Sequence, residues 1–280
     1  MSDHESERLR KEAIGLMWQG RVDDALVAYD EALALAESDD QRELVTIGKA
    51  EALIAAEREE AEVRELPAIV LRRRSPRHVY LAAYALMRRF SDKDRKRALF
   101  YGDVAAEAAA AMGDDEARAK VLNGSGILQM IESQFGDAIR SFEQAIELAK
   151  RVPAFIANLG GAKIHFGDLE NGLALLNDAL PQIEDLSARS DFELDLCYGY
   201  LQLERLDEAR AAGERGFALA DNDRLIRNSH YLLGEIAVRT ERFDDAEAHF
   251  AALESYYPEF PNLRHLLLNV DLCPILNLKA

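Results

Sequence analysis

The residues that carry most enzyme and metal chemistry are few in this chain. Histidine occurs six times and cysteine only twice, at His4, His78, His165, His230, His249, His265, Cys197 and Cys273. No H-E-x-x-H or H-x-x-E-H spacing is present, and neither cysteine has a nearby partner at a metal or redox spacing. The sequence therefore predicts no catalytic residue, no metal site and no cofactor, and we expect a protein that is not an enzyme.

Two other local patterns have simpler structural explanations. Carboxylate pairs such as Asp23-Asp24 and Asp244-Asp245 stand where helices are expected to begin, and negative charge is favourable in a first turn. The run Asn123-Gly124-Ser125-Gly126 resembles a phosphate-binding loop, but it lacks both a preceding strand and the Walker lysine. We interpret both patterns as parts of a helical framework.

The composition of the chain restricts its partners, its location and its fold class. The 280 residues include 51 acidic and 34 basic side chains, a net charge of −17, which disfavours nucleic acid and anionic membranes as partners. No apolar run reaches the ~18 residues that a membrane span requires, and with so few cysteines we expect a cytoplasmic location. Glycine and proline number only 16 and 7, which favours an all-α chain.

A phrase recurs along the chain: a turn, a large apolar residue, polar or acidic residues, then a small residue. The small residues of the last four clear copies, Ala138, Gly172, Ala209 and Ala246, follow one another at intervals of 34, 37 and 37 residues. An earlier copy ends at Ala25, and we place two weaker copies at Ala61 and Ala98. The large apolar residue is expected to open a helix, and the small residue to let two helices approach closely.

Most copies have a second small residue twelve positions earlier, as at Gly126, Gly160 and Gly234. This spacing predicts a first helix of three to four turns before each turn, so that one unit is a helix-turn-helix hairpin. A single hairpin cannot bury its apolar face, whereas stacked hairpins form a continuous core.

The pattern resembles the tetratricopeptide repeat. The best copy runs from Tyr231-Leu232-Leu233-Gly234 through Arg242-Phe243-Asp244-Asp245-Ala246 and Phe250 to Tyr257-Pro258. The resemblance implies an all-α, right-handed α-solenoid (superhelix) of about seven hairpins and a capping helix, forming a single domain over residues 1–280. The hairpins are expected at 7–38, 42–74, 78–112, 115–151, 153–186, 190–221 and 223–257, and the cap at 261–269.

The resemblance also implies a site, because first helices line the concave side in this family. The expected peptide-binding residues are Trp18, Tyr80, Tyr84, Asn123, Asn158, His165, Tyr198 and Tyr231. Amides would bond a peptide backbone and apolar groups would hold its side chains. The same helical spacing also fits residues of the core between helices, and spacing alone does not separate the two. The family's cationic clamp for a terminal carboxylate is not expected, because Asp191 and Asp195 stand where basic residues would be required.

One segment is positively charged, although the chain as a whole is negatively charged. Residues 67–97 hold ten basic and two acidic residues, among them Arg72, Arg73, Arg74, Arg77, Arg88 and Arg89. These arginines form a patch for an anionic partner in one interpretation, and are neutralised by the acidic first two hairpins in the other. We favour neutralisation.

The functional prediction is a protein–protein interaction scaffold or adaptor that binds a peptide or protein segment on its concave face. The alternative is a regulatory sensor module that binds a small ligand, or an anionic partner through the basic 72–97 segment. The apolar tail at 270–278 is expected either to pack back on the last hairpin or to pair with another copy, giving a homo-oligomer.

Overall fold

The computed structural model describes residues 2–56, 58, 61–91, 93–260, 262–272 and 277–279, with the side chains of Ser2 and Trp18 excepted. Within these residues the only regular structure is helix, comprising fifteen α-helices and a short 3₁₀ turn at Leu180–Gln182. The predicted all-α class is confirmed.

The first fourteen helices form seven consecutive hairpins. Their bounds are α1 Ser2–Trp18 and α2 Val22–Leu35, α3 Asp39–Ala55 and α4 Ala61–Arg72, α5 Pro76–Phe90 and α6 Arg95–Met112, α7 Asp115–Ile131 and α8 Phe135–Leu148, α9 Pro153–Phe166 and α10 Leu169–Ala179, α11 Leu186–Gln202 and α12 Leu206–Leu219, and α13 Asp223–Arg239 and α14 Phe243–Glu254. A last short helix, α15, spans Leu263–Leu267. We call the odd-numbered helices α1 to α13 the first helices and their partners the second helices.

The recurrent phrase marks the starts of the second helices. Its large apolar residues Val22, Phe135, Leu169, Leu206 and Phe243 are the first residues of α2, α8, α10, α12 and α14. Acidic residues follow in the first turn of each, where free backbone N–H groups and the helix dipole favour them. Phe243 itself is 57% exposed, so it begins its helix without packing beneath the preceding one.

Small residues set the distance between paired helices. A Cβ atom added to Gly126 would lie 2.5 Å from Phe142, and one added to Gly234 would lie 2.3 Å from Phe250. Both aromatic rings stand four residues after the small residue of the second helix, and both are completely buried. Each glycine thus leaves the volume that its partner ring fills, which is the close approach that the phrase predicts.

Of the two weaker copies of the phrase, the one in the second hairpin departs from the register that we assigned. The copy in the third hairpin keeps it, because Ala98 is completely buried in α6. Ala61, however, is exposed and is the first residue of α4, so its assignment as the close-packing residue is wrong. The buried face of α4 is formed by Val63, Leu66, Ile69 and Val70 instead. No glycine or aromatic residue stands between α3 and α4 in the sequence.

The chain divides into two compact units, with unit 1 at residues 1–125 and unit 2 at 126–280. Within unit 1 the first helix α3 contacts both α1 and α5, and α2 and α4 pack against the first helix that follows. Within unit 2 the first helix α11 contacts both α9 and α13, α10 and α12 bridge between these helices, and α8 packs against α9. We call the side of each unit that its stacked first helices form the first-helix face.

Candidate functional site

Two neighbouring first helices of unit 2 each carry a pair of polar side chains four residues apart. Helix α11 carries Asp191 and Asp195, and α13 carries Arg224 and Asn228. Residues four apart in a helix lie above one another on one side. Arg224 Nη1 donates to Asp191 Oδ1 at 2.9 Å, so the two pairs lie beside each other on the first-helix face.

The chain's own residues 277–279 lie on these four side chains. The Leu278 carbonyl oxygen accepts hydrogen bonds from Arg224 Nη1 at 2.7 Å and from Asn228 Nδ2 at 2.8 Å. Its side chain is completely buried in an apolar cluster with Phe192, Leu225 and other residues of unit 2. One residue is thus held by both its backbone and its side chain.

The following residue, Lys279, is held by charge. Its Nζ lies 2.8 Å from carboxylate oxygens of both Asp191 and Asp195, and 5.9 Å from the centre of the Phe192 ring. Burial acts to raise the pKa of Asp191, but the charges of Lys279 and Arg224 outweigh burial and lower that pKa. Burial likewise acts to lower the pKa of Lys279, and the two aspartates outweigh it and raise that pKa. The pair is therefore fully charged at neutral pH.

On the other side of Leu278, Asn277 reaches the end of α7. Its Nδ2 donates to the carbonyl oxygens of Met130 and Ile131, both at 3.3 Å, and to Ser133 Oγ at 2.9 Å. The last carbonyls of a helix have no partner within the helix, and the amide satisfies two of them. The three residues 277–279 are therefore each bound by side chains or helix ends of unit 2.

A second point of contact lies at residues 271–272. Arg239 Nη2 donates to Asp271 at 3.0 Å, and the Leu272 N–H donates to Glu235 Oε2 at 3.4 Å. Leu272 is 2% exposed. The predicted packing of the tail on the last hairpin is seen at residues 271–272 and at Leu278, which contact α13. Asn277 and Lys279 contact α7 and α11 instead, and residues 273–276 lie outside the described residues.

Predicted site residues His165 and Tyr198 lie together behind the Lys279 contact. Their rings stack with centroids 4.9 Å apart, and Phe135 stacks on the other face of His165 at 5.3 Å. His165 Nε2 lies 3.2 Å from Asp195 Oδ1, and the side chains of both are 1% exposed. His165 thus lies against the carboxylate that binds Lys279, and Tyr198 and Phe135 pack on its ring.

The other predicted residues of unit 2 are not brought to the same point. Asn158 is half-buried on α9. Tyr231 packs beside the cluster that contains Leu272 and hydrogen-bonds Tyr257, and burial followed by this bond raises the pKa of its phenol. The first-helix lining that the resemblance implies includes Asp195 and Asn228, but neither they nor Asp191 and Arg224 are among the eight residues predicted to bind a peptide. An acidic pair on one helix and a lysine in an apolar tail were the available signals.

In unit 1, the predicted tyrosines stack on α5. The Tyr80 and Tyr84 rings have centroids 5.9 Å apart, and burial raises the pKa of both phenols. Glu51 on α3 lies near them, and burial raises the pKa of its carboxyl against the opposing charges of Arg88, Lys120 and Arg10. The neighbouring Asn123 on α7 is buried. The side chain of Trp18 lies outside what the structure describes.

Three of the six arginines predicted as an anionic-partner patch, Arg72, Arg73 and Arg74, are ion paired with acidic residues of the same unit. Arg72 pairs with Glu43 and Glu65, and Arg74 with Asp39 and Glu43, the contacts to Glu43 being 2.9 and 3.2 Å. Arg73 lies 3.6 Å from Glu107, and Arg89 lies over the Phe90 ring. Arg88 faces Glu51 and Tyr84, and Arg77 is exposed. The arrangement around Glu43 is the neutralisation that we favoured.

Two kinds of feature are absent from the described residues. No three His, Cys, Asp or Glu side chains in that part of the chain converge as a metal site would require. No described helix combines the length and the apolar character needed to cross a bilayer.

Comparison with known proteins identifies the fold. No family model and no curated protein sequence matches the chain. A tetratricopeptide repeat protein from Parabacteroides merdae matches 95% of this chain and 100% of its own, with a TM-score of 0.60 at 12% identity. The Cut9-Hcn1 hetero-tetramer of APC/C matches 93% of this chain over 54% of its own, with a TM-score of 0.55 at 16% identity. A human IFIT1 dimer with m7Gppp-AAAA matches 93% over 62%, with a TM-score of 0.55 at 18% identity.

These similarities concern the fold alone. The chain has the tetratricopeptide-type fold of stacked helical hairpins, and the predicted α-solenoid class is confirmed.

Proposed function

We propose that this protein is a non-enzymatic interaction scaffold whose first-helix faces bind segments of other proteins. The observation that supports the proposal is the way in which Leu278 is bound. Its carbonyl is bound by two side chains of α13 while its side chain fills an apolar cluster. Backbone bonds combined with a side-chain pocket are how peptide-recognition surfaces hold an extended segment.

Similar folds and charge support a protein partner. One similar structure, Cut9-Hcn1, is itself an assembly of two different proteins. Another contains m7Gppp-AAAA, but the net charge of −17 in the present chain opposes the approach of a polyanion. The sensor alternative is not carried forward, because Arg72 and Arg74 of the basic segment are ion paired with carboxylates of the same unit.

A random peptide library displayed on phage tests the proposal. The full chain is the bait, and the enriched peptides are synthesised and titrated against Asn228→Ala for unit 2 and Tyr84→Ala for unit 1. Asn171→Ala, an exposed asparagine on second helix α10, is the matched control. We expect at least a tenfold loss of affinity in one of the two site variants and none in the control. Enriched peptides that bind all variants equally, or no enrichment at all, would contradict the proposal.

A further inference from the structure

We infer that the first-helix face of unit 2 selects a partner segment with an aliphatic residue followed by a basic residue, and that the chain's own Leu278-Lys279 occupies this place until such a partner displaces it. The inference rests on the proposed function and specifies its ligand.

The aliphatic requirement comes from the cluster around Leu278. This side chain is completely buried, and the helices α11 and α13 supply Phe192, Leu194, Leu225 and Leu232 to the same cluster. Full burial of a leucine side chain contributes about 1.5–3 kcal/mol, whereas a polar group there would lose its hydration without a partner. A partner segment therefore needs an aliphatic side chain at this point.

The basic requirement comes from the two aspartates. Without Lys279, Arg224 would still pair with Asp191, but Asp195, whose side chain is 1% exposed, would keep among the described residues only the contact of its Oδ1 with His165. A buried charge that loses its partner is costly. Asp195 also lies directly against Gly161 of α9, where an added Cβ would lie 2.5 Å from Oδ2. The carboxylate is thus fixed in position, and a lysine or arginine is the group that satisfies it.

The backbone requirement comes from α13. Arg224 and Asn228 both donate to one carbonyl oxygen, and Arg224 also bonds Asp191. A carbonyl is present at this point in any peptide, so these bonds fix the position of a segment without reading its sequence. The three requirements together describe a short segment in which an aliphatic residue is followed by a cation.

Residues 277–279 can be exchanged for another segment because few residues of the chain are held at this place. Residues 277–279 form no helix or strand, and residues 268–276 join them to α15. A tethered segment acts as an internal competitor at an effective concentration in the millimolar range. An outside segment with the same two side chains must compete with the chain's own segment. Its apparent dissociation constant for the intact chain therefore equals the intrinsic constant divided by the fraction of molecules in which the place is free.

The experiment uses the full chain and a fluorescein-labelled peptide with the sequence of residues 268–279, in which serine replaces Cys273. Fluorescence anisotropy gives its affinity for the wild-type chain and for the variant Leu278→Ser/Lys279→Glu, whose own segment no longer fits. The matched control is Lys150→Glu, which reverses an exposed lysine of the same unit. We expect the segment variant to bind the peptide at least tenfold more tightly than the wild type and the control do.

Peptide and groove variants test the chemistry of recognition. In the segment-variant background, a peptide with Lys279→Glu should bind at least tenfold more weakly than the original peptide. The additional groove substitution Asp191→Lys should restore binding of that altered peptide. Equal affinity of the wild type and the segment variant, or equal binding of the lysine and glutamate peptides, would overturn the inference.

Two provisions keep the outcome decisive. If the circular dichroism of the segment variant shows that it does not fold, the wild-type chain is mixed with millimolar unlabelled peptide, and hydrogen exchange at 277–279 is measured by mass spectrometry. Faster exchange supports displacement, and unchanged exchange overturns it.

If library peptides of other chemistry bind in an Asn228-dependent manner while the aliphatic-basic peptide does not, the inference fails and the proposed function stands. If no peptide depends on either face, both fail.

Discussion

The ammonium group of Lys279 lies 2.8 Å from a carboxylate oxygen of Asp191, a residue 88 positions earlier in the chain. The contact joins an apolar tail to the face of α11 where the acidic pair stands. Because burial is outweighed by the opposite charge on both sides, the pKa of Asp191 is lowered and that of Lys279 is raised. The lowered carboxyl pKa contributes stability that is lost only as the pH falls through acid values, and the raised lysine pKa contributes stability that is lost only at alkaline pH. The contact persists across the neutral range.

Replacing Leu278 with alanine should destabilise unit 2. Removing buried methyl groups from a filled cluster costs about 2–5 kcal/mol, and because the segment can detach instead, we expect the lower end of that range. Urea unfolding measures the change. Leu266→Ala, at a leucine that is 59% exposed, should shift the free energy of unfolding by less than about 0.5 kcal/mol. Equal effects of the two substitutions would show that Leu278 is not docked.

Two glycine-to-alanine substitutions should have opposite signs. At Gly234 the new methyl group would meet the Phe250 ring at 2.3 Å, and we expect a loss of about 1–3 kcal/mol from overpacking. At Gly15, in α1, nothing lies within 4 Å, so alanine should stabilise the helix by about 0.5–1 kcal/mol. Thermal unfolding of both variants checks this pair. A stabilised Gly234→Ala protein would contradict the close packing of α13 on α14.

Acidification should weaken unit 2 through a histidine pair. His230 Nδ1 lies 3.0 Å from His249 Nδ1, and burial, followed for His230 by the charge of His249, lowers the pKa of both rings. Near His249, Asp245 acts to raise its pKa and Arg242 to lower it. The unfolded chain therefore binds more protons than the folded one, so stability is complete above a pH of about 6.5 and falls below it.

The measurement is the midpoint of thermal unfolding between pH 7.5 and 5.5. The double variant His230→Gln/His249→Gln should lose most of the dependence on pH, whereas His265→Gln, at an exposed histidine, should retain it. A wild-type midpoint that rises on acidification would have the wrong sign for this account.

The turn before α14 offers a backbone test. Glu241 has a φ of 58°, a left-handed conformation that costs an L-residue about 1–2 kcal/mol and that glycine adopts freely. We therefore expect Glu241→Gly to raise the free energy of unfolding by about 0.5–1 kcal/mol. Glu214→Gly, on an exposed position within α12, should lower it by about 1 kcal/mol. Destabilisation by both substitutions would contradict the turn geometry.

Local periodicity explains what could be predicted from the sequence. Val22, Phe135 and Phe243 begin second helices where the phrase places them, because turn, dipole and close-packing requirements all act within a few residues. The second hairpin lacks those local signals, and the misplacement of Ala61 followed from their absence. Fold assignment depended on repetition, and it was least accurate where the repetition was weakest.

The residues of the site are brought together by tertiary contacts, which the helical periodicity of the sequence does not predict. Asp191 and Asp195 stand where a cationic clamp for a terminal carboxylate would need basic residues, but the cation that they bind lies far away in the sequence. Tyr198 and His165 were predicted as lining residues and instead support Asp195 from behind. Helical spacing identifies the side of a helix that a residue occupies, whereas the neighbour across that side is set by tertiary packing.

The central claim is that Lys279 is bound by the acidic pair of α11, and a double-mutant cycle tests it most directly. Lys279→Met, Asp191→Asn and the double variant are compared with the wild type by urea unfolding in the full chain. Because the two side chains are in contact, the account predicts that the double variant loses less stability than the sum of the single losses, by at least about 1 kcal/mol. Additive losses, with a coupling below about 0.3 kcal/mol, would contradict the claim.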